Sequence, residues 1–281
     1  MCMGLGCNAA GVIGCRIIDS PRERLIAILT NSLVPCNGRF PTLIAVITMF
    51  FAGAAGGGTW VSVLLLFGAI LLSVGMTFAA SRFLSKTLLR GVPSSFTLEL
   101  PPYRMPQVGR VLVRSVLDRT LFVLGRAVSV AAPAGLLIYL LANITAGGAT
   151  LLQHFSSFLD PFGRLLGLDG VIIMAFLLGL PANEIVIPVI IMAYAATGML
   201  TDYTGLDELR RMLVQNGWTW LTGLNMLLFS LFHWPCSTTI LAIRKETQSW
   251  KWAGAAMLLP ALIGMALCLT TATLARLFGL V

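Results

Sequence analysis

Read for polarity alone, the chain is a series of apolar runs cut by charge, glycine and proline. Residues 40–81 carry no charged side chain, and the four glycines between Gly53 and Gly58 divide that run. Each half is expected to build a span of roughly 20 residues. Ala127 to about Ile144 predicts an outward crossing, Val171 to about Met199 a return, Gly217–Trp234 another apolar segment, and Trp252–Ala275 a final span with Trp250 and Trp252 as interfacial anchors. Polar stretches at 82–126, 145–169 and 201–216 read as the loops between them. The pattern predicts an all-α membrane protein, a polytopic helical bundle of about six spans.

The apolar runs are interrupted where a plain span would continue. Pro35, Pro181 and Pro235 each lack a backbone donor and break the helix that reaches them. The residues beside them are polar: Cys36 and Asn37 follow the first, Asn183 and Glu184 the second, Cys236 and Ser237 the third, with His233 just ahead of it. Broken backbone at membrane depth is tolerated where it is buried in protein or lines a wet cavity. Discontinuous helices of this kind carry the ion and substrate sites of transporters. Glu184 is the single acid of its run, and a charge at mid-membrane costs about 2.5–3.5 kcal/mol, which marks it as a functional candidate.

Composition narrows the class. The 281 residues are 57% hydrophobic and 11% charged, against about 25% charged in soluble domains. The net charge of +8 lies in short loops beside apolar runs and points to membrane orientation rather than nucleic acid. Segment 82–126 holds eight basic residues against Glu99 and Asp118, and is expected in the cytoplasm; its Glu99–Arg104 block, with two prolines, is extended. Segment 145–169, with Asp160, Arg164 and Asp169, is expected outside, and His154 with it. The six cysteines follow no zinc spacing, and no phosphate-binding loop or metalloprotease motif occurs. No nucleophile–base pair can be assembled, so an enzyme is not expected.

The two ends of the chain resemble each other. Cys7–Arg16 can be set over Cys236–Lys245: a thiol, small residues, a short apolar helix and a basic exit, followed by a mixed-charge turn and another apolar run. Internal repeats mark transporter architectures, with the site at their interface. On this reading Cys7 and Cys236 approach one axis. A mixed site of thiols with Asn8, Asn183, Glu184 and Ser237 suits a first-row divalent ion rather than Mg2+ or Ca2+. The thiols surrender protons on binding. Cys7, Cys36, Cys236, Asn8, Asn183, Glu184 and Ser237 are therefore the candidate permeation residues, while Cys2, Cys15 and Cys268 read as packing residues.

Gly6-Cys7-Asn8, Arg22–Leu25, Pro35–Pro41, Glu99–Arg104, Pro181–Glu184 and Pro235–Trp252 occur in an order that resembles the membrane domain of the ferrous iron transport protein B family. The resemblance covers essentially the whole chain. It implies Fe2+ as the transported substrate, a multi-pass protein of the bacterial cytoplasmic membrane, two Gate (nucleoside-recognition) units, and an iron path on Cys7, Cys36 and Cys236. It implies a GTPase-bearing N-terminal half or a full-length transporter as partner, with this chain a truncated gene product or one half of a split transporter, because the family's GTP-binding domain has no counterpart in this sequence and no GTP site is expected here. Membrane lipid and a homo-oligomer are further partners to expect; nucleic acid is not. The domain reading is 1–81 for the first Gate unit's remainder plus two spans, 82–126 for the basic loop and helix lead-in, and 127–281 for the second Gate unit and last span. The alternatives are a Gate protein for another solute and a non-transporting assembly subunit. Charge bias sets the basic exits of both units inside, whereas the Gate resemblance suggests halves of opposite orientation.

Overall fold

A computed structural model of the protein describes residues 2–52, 58–87, 121–146, 148–195 and 205–279, with Gly109 and Val113. Most of the expected basic segment, including Glu99–Arg104, and the Gly53–Gly57 turn lie outside the described residues. The described chain is helical: α1 (Cys2–Gly6), α2 (Asn8–Gly14), α3 (Pro21–Thr30), α4 (Phe40–Ile47), α5 (Gly58–Lys86), α6 (Phe122–Asn143), α7 (Leu151–Leu165), α8 (Gly170–Leu178), α9 (Val186–Ala195), α10 (Leu206–Gln215), α11 (Trp220–Phe232), α12 (Ser237–Thr247) and α13 (Trp250–Leu277). The strand content is one two-rung antiparallel ladder, β1 (Thr145–Ala146) with β2 (Ala149–Thr150). Among the described residues four helical stretches are long and apolar enough to cross a membrane, or five with the bent pair α7–α8 counted as one. About six were expected.

Local sequence explains the starts. Ser20 accepts from the Glu23 amide ahead of α3, with Pro21 in the first turn where its missing donor costs nothing. Thr150 and Gln153 form a reciprocal capping box on α7, and Thr219 with Thr222 another on α11. Segments 145–169 and 201–216, expected as loops, contain helices α7 and α10; His154 sits exposed on α7. Gly170 lets α8 turn back at 111° against α7, since a Cβ there would stand 1.9 Å from the Ser156 carbonyl oxygen.

One expected crossing is absent. Within the described part of that run, residues 171–195 do not return across the bundle: α8 and α9 form an antiparallel hairpin with its tip at Gly179–Ile185. Its two open ends are tied where the Tyr194 hydroxyl donates to Asp169 and accepts from Trp218 Nε1 at 2.8 Å. The apolar run has the length of a span, but the Gly179-Leu180-Pro181 corner folds it in half.

The hairpin settles the direction of α11 and α12. Together they start at the hairpin's mouth and end beside Arg16, where Glu246 binds the guanidinium at 2.6 and 2.7 Å. Arg22 reaches Ser85 at the same end, and Arg244 lies 4.0 Å over the Trp250 ring. That end gathers Arg16, Arg22, Arg24, Arg82, Lys86, Arg244, Lys245 and Lys251 against Asp19, Glu23 and Glu246. The opposite end balances Arg164, Arg210, Arg211 and Arg276 with Asp160, Asp169, Asp207 and Glu208. The basic end is therefore cytoplasmic. Both basic exits lie there, so the two units run in the same direction and not opposite ways.

The larger apolar cluster joins α4, α6, the hairpin, α11 and α13 through Val46, Ile138, Phe176, Ile190, Phe229 and Cys268. The smaller joins α2, α3, α5, α12 and α13 through Ala9, Val12, Leu29, Leu84, Ala242 and Ala256. Small residues there let backbones approach closely, which drives helix association where lipid is as apolar as leucine. Trp60, Leu64, Phe67, Leu71 and Phe78 of α5 remain exposed.

Candidate functional site

Three chain breaks meet inside the bundle: Val34–Arg39 between α3 and α4, the hairpin tip Gly179–Ile185, and His233–Cys236 between α11 and α12. Each contains a proline, and the backbone beside it is extended, with ψ of 126° at Val34, 123° at Ala182 and 177° at His233. Freed backbone groups of one break are used by another. The Ser237 amide donates to the Leu180 carbonyl at 2.8 Å, and Trp234 Nε1 donates to the Phe176 carbonyl at 3.3 Å.

Arg39 is the residue that joins them. Its side chain is buried, the residue only 1% exposed, and it donates to the carbonyls of Ser32, Leu231, His233 and Trp234 at 3.1, 2.8, 3.0 and 3.3 Å. The first and third breaks are thus held together by one guanidinium, whose planar fork suits several acceptors at once. Cys36 and Cys236 are both within electrostatic reach of it.

Asn183 links the hairpin tip to both other breaks. It faces Cys36 Sγ at 3.8 Å and His233 Nε2 at 3.3 Å. His233 Nδ1 lies 3.0 and 3.2 Å from the Ser230 and Phe229 carbonyls, which accept only, so Nδ1 carries a proton. The Asn183 amide oxygen lies on the Nε2 side, and its NH2 donates toward Cys36 Sγ. Glu184 packs on Gly38, where a Cβ would approach its Cγ to 3.3 Å. Cys236 Sγ is 3.2 Å from Thr239 Oγ1 and is half-buried. Ser32 Oγ, Ser230 Oγ, Ser237 Oγ and Arg39 Nε are buried without a protein partner. Such orphaned groups are costly unless water or a ligand meets them.

Of the residues singled out from sequence, Cys36, Asn183, Glu184, Cys236 and Ser237 belong to this junction. Cys7 and Asn8 do not bond to it. Cys7 stands at the N-cap of α2 with an exposed thiol that makes no capping bond, and the Asn8 carbonyl accepts from Asn31 Nδ2 at 2.9 Å, leaving both amide oxygens buried and unpartnered. Cys7 and Cys236 do stand at the same ends of two parallel, packed helices, α2 and α12. Among the described residues no three His, Cys, Asp or Glu side chains gather into a metal-binding group. Donors occur singly and in pairs. Sequence reasoning missed Arg39 and Asn31; the signal for Arg39 was a lone cation four residues after a proline break.

This fold and junction define a multi-pass helical membrane protein with a re-entrant hairpin and discontinuous helices. The family model described as "Ferrous iron transport protein B C terminus" matches residues 66–118, and that described as "Nucleoside recognition", the Gate model, matches 124–250. The chain is similar to the C-terminal membrane part of the ferrous iron transport protein B family. It is 27% identical over 272 residues to the Fe(2+) transporter FeoB of Staphylococcus aureus (strain MSSA476), covering 92% of this chain and 38% of that protein. It is 25% identical over 302 residues to the Fe(2+) transport protein A/Fe(2+) transporter FeoB fusion protein of Porphyromonas gingivalis, covering 89% and 34%. A FeoB of Leptospira interrogans is 25% identical over 272 residues. The chain thus spans well under half the length of these relatives. No solved structure matches it.

Proposed function

We propose that this chain is the membrane permease part of an Fe2+ transporter and that the ion passes through the junction of the three breaks. The observation that carries the reading is the convergence of Cys36, Asn183 and Cys236 at interrupted backbone inside a membrane bundle, with the exposed Glu184 packed beside them on Gly38. Thiols, an amide oxygen and a carboxylate form the mixed donor set that suits a first-row divalent ion. Donors scattered in pairs suit passage, because conduction needs sites strong enough to enter and weak enough to leave. Cys7 and Asn8, at the start of α2, act as a further step. GTP binding and hydrolysis belong to a GTPase-bearing part outside this sequence, an N-terminal domain or a partner chain, with which it works. Division at 81/82 and 126/127 separates the first unit from the second.

Anaerobic Fe2+ uptake in cells lacking their own importer tests this, with and without a co-expressed GTPase half. Uptake is expected with the partner, and Cys236→Ser should reduce it severely. Wild-type rates in that variant would remove thiol ligation from the account. The match to the nucleoside-recognition model favours one second reading, a permease for an organic solute. It predicts solute binding to the purified protein that Fe2+ does not compete with.

A further inference from the structure

Arg39 carries a charge that nothing described neutralises. Arg39 takes part in neither of the ion pairs Arg16–Glu246 and Asp160–Arg164. Its four partners are backbone carbonyls, its Nε has none, and it is buried at the meeting point of two breaks. Glu184 packs over the adjacent Gly38 but forms no ion pair with it. A guanidinium could have been replaced by a neutral donor if hydrogen bonding were its whole role, since a buried charge is expensive.

An ion at the junction meets two obstacles. A fixed positive charge in a medium less polar than water repels every cation, twice as strongly for a divalent one. The same guanidinium also occupies the carbonyls of Ser32, Leu231, His233 and Trp234, the groups that would replace the hydration shell of a hard cation. An ion that binds sulfur keeps ligands the guanidinium does not occupy, because Cys36 and Cys236 take no part in the Arg39 hydrogen bonds. We infer that Arg39 is the specificity-determining residue of the junction, excluding hard cations such as Na+ and Ca2+ while a thiolate-binding divalent ion passes. The inference rests on the permease reading.

The test compares Fe2+, Na+ and Ca2+ entry in anaerobic cells that express the full chain with the GTPase half. Wild type should admit Fe2+ and leave Na+ and Ca2+ at background. Arg39→Gln should raise Na+ or Ca2+ entry at least about tenfold, while Arg39→Lys, which keeps the charge, should stay near background. Ser32→Asp retains Arg39 and the backbone carbonyl it binds but adds a carboxylate on that same residue, and should leak in the same way even if Arg39→Gln fails to reach the membrane. Equal leakage from Arg39→Lys and Arg39→Gln would make geometry the cause and overturn the inference. Fe2+ entry in wild type with no hard-cation entry in any variant sinks the inference alone. No Fe2+ entry in wild type sinks the permease reading and the inference with it.

Discussion

Arg16 and Glu246, 230 positions apart in sequence, form a two-pronged ion pair at 2.6 and 2.7 Å between the ends of α2 and α12. These are the helices that the internal sequence similarity sets over one another. Glu246, through its hydrogen bonds and its charge, holds the Arg16 guanidinium above its ordinary range. The pair is half open to solvent, with side-chain exposures of 60% and 9%. Its contribution is therefore about 1 kcal/mol or less. Arg16→Ala and Glu246→Gln should each lower thermal stability slightly, and the swap Arg16→Glu with Glu246→Arg should recover most of the loss. A double-mutant cycle with no coupling would show that packing of Ala9, Val12, Ala242 and Ile243 alone joins the two units.

The Asn183 amide connects two breaks through Cys36 and His233. Removing it leaves a buried imidazole nitrogen unpaired, which costs about 1–3 kcal/mol. Asn183→Ala should lower the unfolding temperature and speed alkylation of Cys36 by N-ethylmaleimide, since the hairpin tip loses its tether. Unchanged Cys36 reactivity would mean that the tip is held by the Ser237–Leu180 backbone bond instead.

The six thiols differ in access. Cys2 and Cys7 are exposed, Cys236 is half-buried, and Cys15, Cys36 and Cys268 are buried. Mass spectrometry of the alkylated protein should find Cys2 and Cys7 labelled first and Cys236 next. Under anaerobic conditions Fe2+ should protect Cys236 and leave Cys2 unprotected. Protection of both alike would point to bulk metal binding rather than to the junction.

The breaks were legible in the sequence because proline and adjacent polar residues leave little choice of backbone. Three things were not. The 171–199 run is as apolar and as long as a span, and hydropathy carries no information about reversal; the Asp169–Tyr194–Trp218 bonds that close the hairpin are long-range. Helix α7 was masked by Pro161 and Gly163, although its capping box, Thr150 with Gln153, was there to be read. Arg39 was not singled out at all, because most of its carbonyl partners come from stretches far apart in sequence.

The hairpin makes a prediction about sidedness that a simple crossing does not share. If 171–199 crossed, α10 would be cytoplasmic and the exit at Arg244 and Lys245 would face outward, against the charge bias. With the hairpin, α10 lies on the side of Asp160 and Asp169, and Arg244 lies with Arg16, Arg22 and Lys86. In a background with Cys2 and Cys7 replaced, Asp207→Cys should react with a membrane-impermeant maleimide added to intact spheroplasts, and Lys245→Cys only after lysis. Both positions are exposed, so access and not burial decides the outcome. The reverse labelling would restore the crossing and invert the α11–α12 segment. It would also separate Glu246 from Arg16, so the same experiment checks the ion pair from a second direction.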